Sequence, residues 1–169
     1  MSRILTGRVA AVLPANIDTD IIYPGRYLNI TDREKTAEHL FELAYPEVRA
    51  AIQPGDLLVA ARNFGCGSSR EQAAAAVKYA GVGAVIAASF ARIFFRNAIN
   101  LGLPLVVSPE AVERVREGDV LELDLEHGVI RNHGREETYT AAPLDPRAIE
   151  LIEAGGLVPH LKRKVMAHA

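Results

Sequence analysis

The chain has 169 residues, 49% apolar and 24% charged, with a net charge of −2 and a single cysteine. That length suffices to bury about two-thirds of the unfolded surface without covalent staples, and the balance gives no basic excess for nucleic acid. One thiol excludes an internal disulfide and any metal or cluster site built from several thiolates of this chain. The absence of a run near the ~20 apolar residues of a membrane span, or of a signal-peptide pattern, points to one cytoplasmic domain over residues 1–169.

In chain order, residues 4–13 read as a first strand, with Val9, Ala11 and Leu13 alternating against Arg8 and its neighbours. Asx and Thr residues and Pro24-Gly25 then interrupt regular structure. Asp18 and Asp20 read as turn residues; a two-aspartate metal site is the alternative, with nothing adjacent to complete a ligand set. Thr31-Asp32-Arg33-Glu34 has the form of a capping box opening a helix to about residue 44, which Pro46 ends. His39 falls on its polar flank. Pro54-Gly55-Asp56 is the turn before an apolar strand at 57–61.

That strand feeds Asn63-Phe64-Gly65-Cys66-Gly67-Ser68-Ser69-Arg70-Glu71, around which the chain is organised. Gly65 and Gly67 permit a sharp turn and a close approach to a ligand. Ser68 or Ser69 stands where the following helix needs its N-cap. Helix N–H groups and the planar fork of Arg70 suit a carboxylate or phosphate. A plain strand-to-helix connection is the structural alternative. The stretch lacks the Gly-Lys-Ser/Thr ending of a P-loop, the third glycine of a dinucleotide fingerprint and the last glycine of a nucleophile elbow.

Beyond it, an alanine-rich helix (71–80), a strand (84–88), a helix (90–100), a strand (103–107) and a short helix capped by Ser108 (109–117) alternate. That pattern argues for a mostly parallel sheet. Strict alternation at 120–125 and 129–131, with a further strand at 137–140, indicates antiparallel hairpins. His127-Gly128 and His133-Gly134 fall at their turns. Asp145-Pro146 starts a last helix ended by Gly155-Gly156, and residues 160–164 read as a solvated basic terminus.

Asp18-Thr19-Asp20-Ile21-Ile22-Tyr23-Pro24, the stretch from Asn63 to Glu71, and Ser89-Phe90-Ala91-Arg92-Ile93-Phe94 occur in the order and spacing of one family. Over essentially its whole length the chain resembles the small subunits of 3-isopropylmalate dehydratases (isopropylmalate isomerases), the separate-chain form of the aconitase swivel domain. The resemblance implies an α/β fold, a swivel-like β/β/α barrel-like single domain with a central mostly parallel sheet and a C-terminal antiparallel hairpin region. It implies a partner, a large subunit holding a 4Fe–4S cluster through three cysteines, and no cofactor in this chain. The implied reaction is dehydration and rehydration of a small di- or tricarboxylate acid.

By position in the motif, Ser68 is the implied general base and Arg70 the carboxylate clamp. Ser69 supplies a further hydrogen bond or merely caps the helix. Thr19 and Asp20 match the superfamily's Thr-Asp pair and read as orienting groups, with Gly65 and Gly67 shaping the loop. Arg92 reads as a brace acting by ion pairing rather than a substrate contact. Specificity is expected in Leu28, Asn29 and Ile30, where an isopropyl group meets apolar contacts and no cation faces a third carboxylate. Asn29 departs from the apolar residue usual in isopropylmalate enzymes, and Arg26 stands close by. Homoaconitase, a citraconate- or dimethylmalate-type hydratase and a non-catalytic anion-binding swivel module therefore remain open. Homo-oligomers of the isolated chain are a further expectation, since the partner-facing surface is otherwise exposed.

Overall fold

The computed structural model describes residues 3–169. In chain order the elements are β1 (Ile4–Leu13), α1 (Thr19–Ile22), α2 (Arg33–Glu38), α3 (Pro46–Ala51), β2 (Leu57–Ala60), α4 (Glu71–Tyr79), β3 (Ala84–Ala87), α5 (Arg92–Asn100), β4 (Leu105–Val107), α6 (Pro109–Arg114), β5 (Val120–Asp124), β6 (Val129–Asn132), β7 (Glu137–Thr140), α7 (Pro146–Ala154) and α8 (Leu157–Ala167). A single 3-10 turn, Gly25–Tyr27, lies between α1 and α2.

The seven strands form one sheet in the order β4-β3-β2-β1-β5-β6-β7. β1 is its hinge. Its first half pairs antiparallel with β5, from Ile4 opposite Asp124 to Arg8 opposite Val120. Its second half pairs parallel with β2, from Val9 opposite Leu57 to Leu13 opposite Ala60, with a register shift at Ala10. An extra residue in one strand bends it and increases its twist, so the two halves curl towards each other. The free edges then meet: Ser108 Oγ donates to Thr140 O at 2.7 Å, and Ala142 N to Val107 O at 2.9 Å. These bonds tie the end of β4 to the end of β7 and give the sheet its barrel-like form.

β2 (LLVA) and β3 (AVIA) are buried at every position, as expected of parallel strands covered on both faces. Leu57, Val59, Ala84 and Ile86 point into the curl, where Leu121, Leu123, Ile130 and Tyr139 of the hairpin strands meet them. Leu58, Ala60, Val85 and Ala87 point outward under α4 and α5. The buried Ala73, Ala74 and Ala76 of α4 bring that helix close to the sheet. The strand-helix alternation, the parallel centre and the hairpins at 120–140 thus form as the sequence predicts.

Three expectations are corrected, and a fourth, the solvated terminus, holds but takes helical form. The helix opening at residue 32 stops at Glu38, and Phe41 takes a left-handed φ of 56°, which buries its ring completely. Its cap is Asp32, which accepts from Lys35 N at 3.0 Å, in place of Thr31. Pro46 begins a helix, α3, because a residue without an N–H is tolerated in the first turn. The expected solvated terminus is α8, a helix with no buried residue; its exposed apolar side chains Val158, Leu161, Val165 and Met166 follow helical spacing.

Candidate active site

Three segments meet at the C-terminal ends of β1, β2 and β3. Asn16 N donates to Arg62 O at 3.0 Å, Gly65 N to Ile17 O at 2.7 Å and Thr19 N to Cys66 O at 2.8 Å, stitching the segment after β1 to the loop after β2. Phe64 N donates to Ser89 O at 3.1 Å, and Ala91 N to Phe64 O at 3.0 Å, tying the same loop to the segment after β3. The motifs that lie far apart in sequence are therefore three segments of one continuous hydrogen-bonded layer.

The loop's shape depends on its glycines. Gly65 has φ 83°, and a Cβ there would lie 2.2 Å from Phe94 Cγ. Gly67 has φ 96°, and a Cβ there would press on Thr19 Oγ1 at 3.3 Å. Both positions combine a left-handed backbone with close approach, which only glycine accepts without strain. Asn63 and Asn16 also turn left-handed, at φ 64° and 60°, and their side chains bond each other at 3.0 Å. The sequence carried a signal for that pair, since asparagine is enriched in this conformation.

Ser68 is exposed, and its Oγ lies 3.1 Å from Oγ1 of buried Thr19. Two residues on, the Arg70 guanidinium forms an ion pair with the Asp20 carboxylate. The arginine side chain is 22% exposed and the aspartate 67%, so solvent screening keeps the pair weak in energy. Its placement matters more: Asp20, the partner of Arg70, directly follows Thr19, the partner of Ser68. A Cβ on Gly25 would lie 3.2 Å from Arg70 Nη2, so Gly25 is the floor on which the guanidinium rests. Sequence reading took Pro24-Gly25 as a turn and missed that role.

Thr19 and Asp20 thus stand beside Ser68 and Arg70, held by α1. Asp18 caps that helix, accepting from Ile21 N at 2.8 Å, which is the turn chemistry expected of it. The capping expectation for the serines is overturned. The N-cap of α4 is Arg70, whose side chain makes no capping bond, because Arg70 N is turned back to Ser68 O at 2.9 Å. Ser69 is exposed and makes no side-chain hydrogen bond among the described residues. Both hydroxyls are left free of the helix, and the first N–H groups of α4 have no intrahelical acceptors.

Leu28, Asn29 and Ile30 follow the 3-10 turn, Leu28 and Ile30 half-buried and Asn29 exposed. Gln72 Nε2 reaches Leu28 O at 3.5 Å from the first turn of α4, linking this loop to the helix that carries Arg70. Arg26 is engaged elsewhere, with Glu42 at 3.3 Å. Partial burial pushes the Glu42 carboxyl up, yet Tyr27 Oη, Arg26 and His39 together hold it below its ordinary value. His39 stacks on Tyr27 with ring centroids 3.6 Å apart, so it is a packing residue of this loop. Arg92 makes no ion pair among the described residues. The brace expected of it is absent; its side chain is exposed beside Ser89, Phe90 and Arg96.

Among the described residues no group of three or more His, Cys, Asp or Glu could hold a metal ion. Cys66 is half-buried and free, and its carbonyl is already bonded to Thr19 N. One thiol does not fit a cluster that needs three. No helix is long and apolar enough to cross a membrane among the described residues.

Residues 4–110 match the aconitase C-terminal domain family. The chain is 55% identical over 150 residues to the 3-isopropylmalate dehydratase small subunit of Moorella thermoacetica, covering 89% of this chain and 90% of that one. The chain belongs to the 3-isopropylmalate dehydratase small-subunit family. A second member, small subunit 1 of Methanopyrus kandleri, is 48% identical over 164 residues, 97% of this chain and 96% of its own. The crystal structure of a 3-isopropylmalate dehydratase from Methanocaldococcus jannaschii superposes with a TM-score of 0.88 at 40% identity, covering 98% of this chain and 97% of that one. The family is that of a hydro-lyase, and its small-subunit naming implies a large-subunit partner.

Proposed function

We propose that this chain is the catalytic small subunit of an enzyme interconverting 2-isopropylmalate and 3-isopropylmalate through 2-isopropylmaleate in leucine biosynthesis. The observation that carries the reading is the exposed Ser68 hydroxyl, hydrogen-bonded to Thr19 and set beside an Arg70 fork that already grips a carboxylate, that of Asp20. A large subunit bearing a 4Fe–4S cluster completes the site, and its iron supplies Lewis acidity towards the departing hydroxyl when bound.

Within this chain, Arg70 receives a substrate carboxylate through two parallel N–H bonds. That fixes the neighbouring C–H towards Ser68. Oγ, in its deprotonated form, takes the proton while the C–H pair becomes the new double bond and hydroxide leaves the adjacent carbon. Rehydration reverses the step at the adjacent carbon, with Ser68 returning its proton. A serine is a poor base in water. Here Thr19 Oγ1–H, the unpaired N–H groups of α4 and the Arg70 charge all favour negative charge on Oγ once a partner excludes solvent. Ser69 offers its free hydroxyl as a further donor to the substrate, and Gly65 and Gly67 bring the loop backbone close to it.

Leu28 and Ile30 provide apolar contact for an isopropyl group, with Asn29 between them. The pairing of Arg26 with Glu42 supports isopropylmalate over a tricarboxylate, because a third carboxylate would then lack a cation. The test is turnover of the complex reconstituted with its large subunit, on isopropylmalate, homocitrate-series acids and citrate in parallel. Ser68→Ala is expected to assemble normally and lose turnover by several powers of ten. Arg70→Lys, which keeps charge but loses the fork, is expected to raise KM. Wild-type kinetics in an assembled Ser68→Ala complex would remove the base assignment, and preference for a tricarboxylate would remove the substrate assignment.

A further inference from the structure

A hollow of about 400 Å³ opens beside the catalytic loop, lined by Ser89, Phe90, Arg92, Phe95, Arg96 and Val107. It lies at the C-terminal ends of β3 and β4, on the sheet edge that carries Ser68. Ser89 is shared between the two sites, since its Oγ accepts from Asn63 N at 2.8 Å. Arg92 and Arg96 stand one helical turn apart on α5, both exposed, and neither has an acidic partner among the described residues. Elsewhere Arg3, Arg8 and Arg131 each sit on a carboxylate at 2.7 Å.

The chain's own electrostatics oppose this placement. Arg92 is the first residue of α5, whose first turn carries no acid, and a cation there faces the positive end of the helix dipole. A like-charged residue at i+4 adds repulsion. Beside them Ile93 is 48% exposed, and the floor is aromatic. Two uncompensated guanidinium groups over an apolar floor fit an acidic segment with an apolar side chain.

Resting on the function assigned above, we propose that this hollow is the socket in which the cluster-bearing large subunit docks, through carboxylates placed on Arg92 and Arg96 and an apolar side chain inserted against Phe90 and Phe95. Two arguments select that occupant. Ser68 reacts only when the partner covers this sheet edge, so the hollow is continuous with the surface that must be covered. The cations are complementary to carboxylates, whereas a second copy meeting this face about a two-fold axis would set arginines against arginines.

The experiment titrates the large subunit into this chain, reading assembly by sedimentation or anisotropy at low and high salt, and kinetics at saturating large subunit. Arg96→Glu is expected to weaken assembly at least ten-fold and flatten its salt dependence, with kcat at saturation retained. Arg96→Lys is expected to restore most of the affinity. Arg92→Glu, read for assembly only, should weaken it in the same direction. Lys164→Glu on the exposed part of α8 makes the same charge change outside the lining of the hollow and should leave assembly unchanged. The proposal falls if Arg96→Glu assembles as the wild type does. It falls also if Lys164→Glu weakens assembly equally, or if Arg96→Glu changes only KM at saturation, which would make the hollow a substrate subsite. Failure here with Ser68→Ala still inactive leaves the assigned function standing; a wild-type chain that binds no large subunit removes both.

Discussion

Thr19 Oγ1 and Ser68 Oγ lie 3.1 Å apart across 49 residues of chain. Thr19 is buried and Ser68 exposed, so the threonine is fixed by its surroundings and the serine takes its orientation from it. A hydrogen bond to a group that becomes charged is worth about 1.5–3 kcal/mol. Thr19→Val removes the bond and keeps the branched shape. We expect kcat to fall about 10- to 100-fold with KM and assembly near wild type, the signature of an interaction made in the transition state. Steady-state kinetics of the reconstituted complex checks this, and an unchanged kcat would show that Thr19 serves packing alone.

Gly65→Ala places a methyl group where Phe94 Cγ would be 2.2 Å away, on a backbone with φ 83°. Phe94 is buried and packed edge-on against Phe64 at 5.3 Å, so it has nowhere to retreat. Overpacking and left-handed strain together should cost about 2–4 kcal/mol. Chemical denaturation of the isolated chain measures that loss directly. A loss below about 1 kcal/mol would mean that the loop shifts freely, against the rigid three-segment layer described above.

The hairpin between β5 and β6 should carry an acid-sensitive share of stability. Asp124 accepts from His127 N at 3.0 Å and faces its ring Nδ1 at 2.9 Å. The backbone N–H of His127, then its ring and the Arg131 charge, hold the Asp124 carboxyl below its ordinary 3.8 against the opposing effect of burial. With a lower value in the folded state, the unfolded chain binds more protons as pH falls past 3.8. The stabilisation is therefore complete above that range and disappears as pH drops through the depressed value. Asp124→Ala should be less stable than wild type at neutral pH, and the gap should close in acid. Denaturation midpoints measured from neutral pH down to about 2 test it; a gap constant over that range would contradict the assignment.

From Leu161 onward every residue of α8 is exposed, and a short helix of this kind is marginal in water on its own. A chain ended at His160 should keep its fold, with a thermal midpoint within about 3 °C of the full chain. A larger drop would show that α8 contributes to the core after all.

Much of the architecture could be read from the residues because its causes are local. Apolar runs at 57–61 and 84–88, short and set off by the Pro54-Gly55-Asp56 turn and by Gly81 and Gly83, read as buried strands. Asp145-Pro146 and Ser108-Pro109 announce helix starts, and His127-Gly128 marks a hairpin turn. Reading failed where a distant contact overruled a local preference. Phe41 breaks the expected long helix by turning left-handed to bury its ring, and Pro46 serves as a start because its N–H would be unused there.

For the site itself, the sequence by itself determined which side chains could do chemistry: Ser68 and Arg70 in a glycine-turned loop before a helix, and a Thr19-Asp20 pair waiting for a partner. Only the tertiary structure decided which of them touch. It set Thr19 on Ser68 and Asp20 on Arg70, freed both serines from capping, turned Arg26 to Glu42 and left Arg92 without an ion pair among the described residues. The reason is physical: periodicity and capping act within a few residues, whereas these pairings depend on the curl of β1 and the hydrogen-bonded layer that brings three distant loops to one edge of the sheet.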